Sequence, residues 1–180
     1  MAKLVSNRYA HALFEAGLEL NKLNEFKDNL MDITSIIEKE PRLGQILVHP
    51  KISKDEKKNL LSSLFEGRVS QEVLNFLYIL VDKRREGYIT QIAREFEKLF
   101  NEHENIIQVT AITAVPMENK VKDRLQAVLT NKTNKTIKLR NVVDKEVMGG
   151  VLLKIENKVV DGTIKGQLEV MEKTIKNVSL

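Results

Sequence analysis

The chain has 180 residues, enough for one large domain or two small ones. It is 42% hydrophobic and 30% charged with only 8 Gly and 3 Pro, which suits a folded core and excludes low-complexity and collagen-like classes. Zero cysteines exclude a disulfide framework and thiolate metal sites, and the net charge is +4.

That charge is unevenly placed. Residues 1–105 carry 16 Lys and Arg against 17 Asp and Glu, whereas residues 106–180 carry 13 against 8. The asymmetry suggests two units with different partners. No apolar run approaches the ~20 residues that span a bilayer. The N-terminus has neither the apolar core of a secretory signal nor the Arg-rich, acid-poor character of a transit peptide. Any membrane association is expected to come through partners.

The first part reads as helix throughout. Ser6-Asn7 can cap a first helix with Val5, Tyr9, Ala12, Leu13, Ala16 and Leu20 at three- and four-residue spacing. A break at 21–24 precedes a helix carrying Leu23, Phe26, Leu30, Ile33 and Ile37. Pro41 opens a short helix that His49-Pro50 ends, because the residue before proline avoids helical geometry. Ser53-Lys54-Asp55-Glu56 is a capping box opening a helix that buries Leu60, Leu61, Leu64 and Phe65 and stops at Gly67. Ser70 caps a fifth helix with Val73, Phe76, Leu77, Leu80 and Val81 on one face. Lys83, Arg84 and Arg85 occupy its last turn and Gly87 terminates it. Ile89, Ile92, Ala93, Phe96, Leu99 and Phe100 form the stripe of a sixth. Six short helices joined by short turns predict a bundle.

The period changes at Asn105. Ile107, Val109, Ala111, Thr113 and Val115 alternate as a strand does. Pro116 suits the first turn of a helix with Val121, Leu125 and Val128 buried. Further strands follow at 137–142, at 151–155 and, after a turn at Asn157, at Val159-Val160. Ile164, Leu168, Met171, Ile175 and Val178 mark a final helix. The fold class is α+β in two domains: a helical bundle over residues 1–104 and a small β-α-β-β-β-α domain over residues 105–180.

The stretch from Val143 to Gly166 holds four of the eight glycines beside lysines, a composition found in phosphate cradles. Its spacing is wrong for G-x-x-x-x-G-K-[ST], and no G-x-G-x-x-G occurs. A structural reading fits better. Gly149-Gly150 provides positive φ or a close backbone approach at a strand entrance. Asp161-Gly162 reads as a turn into a helix. Gly166 on that helix lowers its propensity by about 1 kcal/mol, which close packing against another backbone would offset. His11, His49 and His103 share no ligand spacing, and no Ser lies in a G-x-S-x-G turn. No catalytic, cofactor-binding or metal-binding residues are expected. The basic second part contains no aromatic residue after Phe100, which argues against base-stacking nucleic-acid modules.

Two stretches are similar to the delta subunit of bacterial F-type ATP synthase, the oligomycin-sensitivity-conferring protein family. Arg8-Tyr9-Ala10-His11-Ala12-Leu13-Phe14-Glu15 resembles its opening R-Y-A-x-A-L-F-[DE]. Val143-Asp144, Val147, Gly149-Gly150, Val151 to Leu153, Asp161-Gly162-Thr163-Ile164-Lys165 and Leu168 resemble its C-terminal signature, with Thr163 where Ser is commoner. The resemblance covers essentially the whole chain. It implies a non-catalytic peripheral-stalk (stator) subunit, peripheral to the cytoplasmic face of the plasma membrane. Such a subunit links the alpha-subunit N-termini to the b subunits, so that the head resists rotor torque while ATP synthesis is coupled to ion translocation. It further implies an alpha-subunit helix docked between the first and fifth helices. Tyr9, Ala12 and Ala16 on the first and Asn75 and Tyr78 on the fifth are the candidate contacts. The competing reading places Tyr9 and the alanines in the bundle core, and the sequence does not choose. For the b subunits the candidates are Lys165 and Lys173.

Overall fold

The computed structural model describes residues 2–155, 158–168 and 171, and the chain divides into units at 1–101 and 102–180. The first unit contains α1 (Ala2–Glu19), α2 (Leu23–Lys39), α3 (Pro41–Val48), α4 (Lys54–Phe65), α5 (Gln71–Asp82) and most of α6 (Ile89–His103). Its core is aromatic and aliphatic, with Phe26, Phe65, Phe96, Leu47, Leu61, Leu77 and Leu80 fully buried.

The capping box is present as read. Ser53 Oγ accepts from Glu56 N–H, and Glu56 accepts from Ser53 N–H at 2.9 Å. Leu61 and Phe65 are buried on that helix, while Leu60 and Leu64 are half-buried. Other boundaries differ from expectation for identifiable reasons. α1 begins at Ala2, so Ser6 is not a cap. It is a buried residue inside the helix, and its hydroxyl donates to Gln91 Oε1 of α6 at 3.3 Å. Ser70 stands at the cap position of α5, but its oxygen accepts from Asn29 Nδ2 of α2 at 3.0 Å. The end of α5 is set by Arg84 and not by Gly87. Arg84 adopts φ 55°, and the Arg85 N–H reaches back to Leu80 O at 2.7 Å, a Schellman closure. Lys83, Arg84 and Arg85 therefore lie beyond the last turn, and Gly87 sits in a 3-10 turn over Glu86–Tyr88.

That turn carries a buried ion pair. Lys57 Nζ of α4 lies 2.5 Å from Glu86 Oε1, with both side chains more than nine-tenths buried and Glu86 Oε2 lacking a partner. An ion pair out of water contributes little net stability, but removing one partner strands the other charge. Substitution Lys57→Met is expected to destabilise the protein by about 3 kcal/mol, with Lys57→Met/Glu86→Leu recovering most of it. A double-mutant cycle in urea measures both.

The second unit is a four-stranded sheet of order β2-β1-β3-β4. β1 (Ile106–Thr113) runs parallel to β2 (Thr136–Val143), and the crossover between them is α7 (Asn119–Thr133). β3 (Gly150–Ile155) is antiparallel to β1 and to β4 (Lys158–Thr163), and residues 164–168 are helical. Ile107, Val109, Ala111, Ile137, Leu139 and Leu153 pack beneath Leu129 on one sheet face. The expected turn at Asn157 falls outside the described residues, as do Ile175 and Val178.

Pro116 does not open α7, which starts three residues later. Residues 114–118 form a loop held by Asn141, whose Oδ1 accepts from Met117 N–H and whose Nδ2 donates to Ala111 O and Thr113 Oγ1. Nor do Val121 and Val128 form the buried face. Leu125 and Leu129, one turn apart, make the contact with the sheet, and both valines are exposed.

The glycine-rich segment closes this unit. Asp144 Oδ1 accepts from Glu146 N–H and opens a 3-10 turn, after which Met148 and Gly150 both take positive φ. A Cβ at Gly150 would overlap the carbonyl of Gly162 on β4, a backbone atom that cannot step aside. Substitution Gly150→Ala combines that overlap with φ +83° and is expected to cost about 3 kcal/mol or more, read as a fall in Tm.

Candidate functional site

Of the residues singled out on α1 and α5, Tyr9 meets the other helix, at Phe76. Tyr9 packs edge-on against Phe76, with ring centroids 6.2 Å apart, so these helices are neighbours. The inward face of α1 consists of Ser6, Ala10, Leu13 and Gly17. Val5, Tyr9 and Ala16 are half-buried and Ala12 is exposed. This answers the question the sequence left open: Tyr9, Ala12 and Ala16 flank the core and do not fill it. On α5, Asn75 is exposed and Tyr78 half-buried. Asn75 Oδ1 accepts from Gln71 Nε2 at 3.1 Å.

Sequence reasoning missed Ile79. It lies one turn beyond Asn75 and is 49% exposed. The signal was present, since Ile79 is an aliphatic residue of α5 that falls outside the inward stripe. Ala12 on α1 and Asn75 and Ile79 on α5 are exposed, and Val5, Tyr9, Ala16 and Tyr78 on the same two helices are half-buried.

An ion pair also ties the segment after α1 to α5. Lys22, just after α1, donates to Glu72 in the first turn of α5 at 2.8 Å. The hydrogen bond between them raises the Lys22 pKa above its ordinary value and lowers that of Glu72. Both shifts favour the charged forms.

In the second unit, the segment that resembled a phosphate cradle has its backbone donors committed elsewhere. Gly149 N–H goes to Val147 O, Ile164 N–H to Gly149 O, Thr163 N–H to Asp161 Oδ1 and Gly166 N–H to Thr163 Oγ1. Thr163 caps the helix that follows. Asp161, held below the usual carboxylate range by hydrogen bonds from the Thr163 hydroxyl and N–H, places a negative charge there. An anion here would meet repulsion from Asp161.

Two structural readings need correction. Asp161 and Gly162 belong to β4, paired with Leu152 and Val151, and are not a turn. Gly166 avoids the Asp161 carboxylate, which a Cβ would approach to 2.6 Å, and not another backbone. Lys165 is exposed on this helix; Lys173 lies outside the described residues. Ile164, Leu168 and Met171, which marked a final helix in the sequence, are each more than half exposed. Ile164 lies against Gly149 and still keeps half its surface exposed.

Comparison with known proteins agrees with these features. The family description "ATP synthase delta (OSCP) subunit" matches residues 5–175. The ATP synthase subunit delta of Alkaliphilus oremlandii is 47% identical over 178 residues, 99% of each chain. That of Clostridioides difficile is 38% identical over 179 residues, again 99% of each. A chain of the Toxoplasma gondii mitochondrial ATP synthase hexamer superposes with a TM-score of 0.76 over 94% of this chain and 96% of that one. Its 17% identity speaks for the fold alone. The chain belongs to the ATP synthase delta (OSCP) subunit family. It is a non-catalytic component of the peripheral stalk of F-type ATP synthase. Among the described residues no helix is long and apolar enough to cross a membrane.

The Lys22–Glu72 pair makes a pH prediction. Because the Glu72 pKa is lowered on folding, its contribution is complete above the ordinary carboxylate pKa near 4.3 and is lost as pH falls through the lowered value. Because the Lys22 pKa is raised, its contribution is complete below about 10.4 and is lost only above that. Glu72→Gln is therefore expected to lose less stability than wild type between about pH 5 and 2.5, with parallel curves at about pH 6–9. Urea midpoints across that range provide the check.

Proposed function

We propose that this subunit joins the catalytic head to the membrane-anchored b subunits, at the cytoplasmic face of the plasma membrane, so that the head resists rotor torque. The division of roles follows the chain. Residues 1–104 receive an alpha-subunit N-terminal helix between α1 and α5, and residues 105–180 hold the b subunits. The observation that carries this reading is the strip formed by Val5, Tyr9, Ala12 and Ala16 beside Phe76. It lies outside the innermost core and has small residues where a helix backbone must approach closely, and exposed Ile79 on α5 adds apolar surface. The exposed Ile164, Leu168 and Met171, with Lys165 beside them, support a second helical partner on the other unit. Torque is carried by contact area and shape, and the chain's own residues need supply no chemistry.

Titration calorimetry of the full chain with a peptide from the alpha-subunit N-terminus tests the first contact. Ala12→Arg, on an exposed site, is expected to weaken binding by roughly tenfold or more while Tm stays within about 2 °C, since surface substitutions rarely shift stability by more than 0.5 kcal/mol. Tyr9→Ala is expected to weaken binding similarly. Unchanged affinity in both variants would remove the α1–α5 assignment.

A further inference from the structure

The sheet of the second unit has a second face whose character is set by register. Side chains alternate across a strand, so the residues between those of the core point the other way. The pairing aligns them in rows across the strands. Val142, Ile112 and Leu152 stand in one row, and Arg140, Thr110 and Lys154 in the next. Lys138 and Gln108 follow in a third. Val142, Arg140, Lys138 and Lys154 are exposed, and Ile112, Leu152 and Thr110 half-buried.

An apolar row therefore lies beside a basic one. Among the described residues no carboxylate pairs with Lys138, Arg140 or Lys154. The one carboxylate on this face among them is Asp161, across from Leu152 on the edge strand, and it is bound to Thr163. The cations thus keep their charge available to a partner.

We propose that this sheet face is a docking surface for an acidic amphipathic helix, supplied by the b subunits; this rests on the reading that the second unit holds them. The dimensions agree. Three strands at about 4.8 Å spacing place Val142 and Leu152 about 10 Å apart, close to two turns of helix at about 5.4 Å each. A helix lying across the strands meets Val142, Ile112 and Leu152 with apolar residues at i, i+3 or i+4, and i+7. The basic row lies about 6.8 Å further along the strands, under that helix's flank, where Asp or Glu would meet Arg140 and Lys154. The excess of basic residues in this part of the chain then has a use: it selects an acidic partner segment and orients it.

The test uses the full chain and the purified soluble portion of the b subunit without its membrane span, with affinity measured at low and moderate salt. Arg140→Glu/Lys154→Glu is expected to weaken binding by roughly tenfold at low salt, and Arg140→Gln/Lys154→Gln by about threefold if the reversal impairs folding. Lys120→Glu/Lys132→Glu, exposed on α7 and equal in charge change, is expected to alter affinity by less than about twofold. Equal weakening by the two reversals means general charge attraction and overturns the proposal. Loss of binding in Leu168→Asp with no effect of the Arg140 and Lys154 variants also overturns it, while leaving the b-subunit reading standing. Wild-type protein that fails to bind the b subunit overturns both.

Discussion

The close approach of α1 to α2 governs the form of the helical unit. A Cβ at Gly17 would lie 2.9 Å from a Leu23 methyl and 3.1 Å from the Phe26 ring, so a larger residue here would push both side chains aside. The inward face of α1 accordingly uses small residues, Ser6, Ala10 and Gly17, with one large contact at Leu13. A face this narrow leaves the larger side chains of the helix at its margins. Tyr9 then meets Phe76 on one side and Phe14 meets Phe96 on the other, both edge-to-face. The outward face of α1 is a consequence of how that helix is seated.

The sheet unit shows an equivalent dependence. The chain can leave β3's entrance only because Met148 and Gly150 turn left-handed and Gly150 lets the Gly162 carbonyl approach. Strand β4 then ends in Asp161 and Thr163, which bind each other and cap the helix beginning at 164. In a segment whose composition resembles a phosphate cradle, local hydrogen bonds engage four of the backbone donors, and close packing accounts for the glycines. What it positions is a sheet with one face packed beneath α7 and one face patterned in rows.

In both units the proposed partner surfaces are made from side chains that the core does not use. This suits a stalk component, which must resist force and not turn over substrate. Small residues permit close approach, apolar residues give area, and fixed charge gives orientation.

Much of this was legible in the residues. Helical and strand periods, the Ser53–Glu56 box, the change of period at Asn105 and the two family signatures are local, and local chemistry decides them. Tertiary contacts decided the rest. Ser6 and Ser70 have the right chemistry to cap helices, but a neighbouring helix engages each of them. Arg84 ends α5 in a conformation usually left to glycine because the Schellman hydrogen bonds favour it. Asn141 holds the loop that moved the start of α7 past Pro116. Whether Tyr9 and its alanines were core or surface could not follow from spacing, since a helix with apolar residues on adjoining faces can turn either one inward. The small residues of α1 settled it, because only their face could approach α2 closely enough to pack.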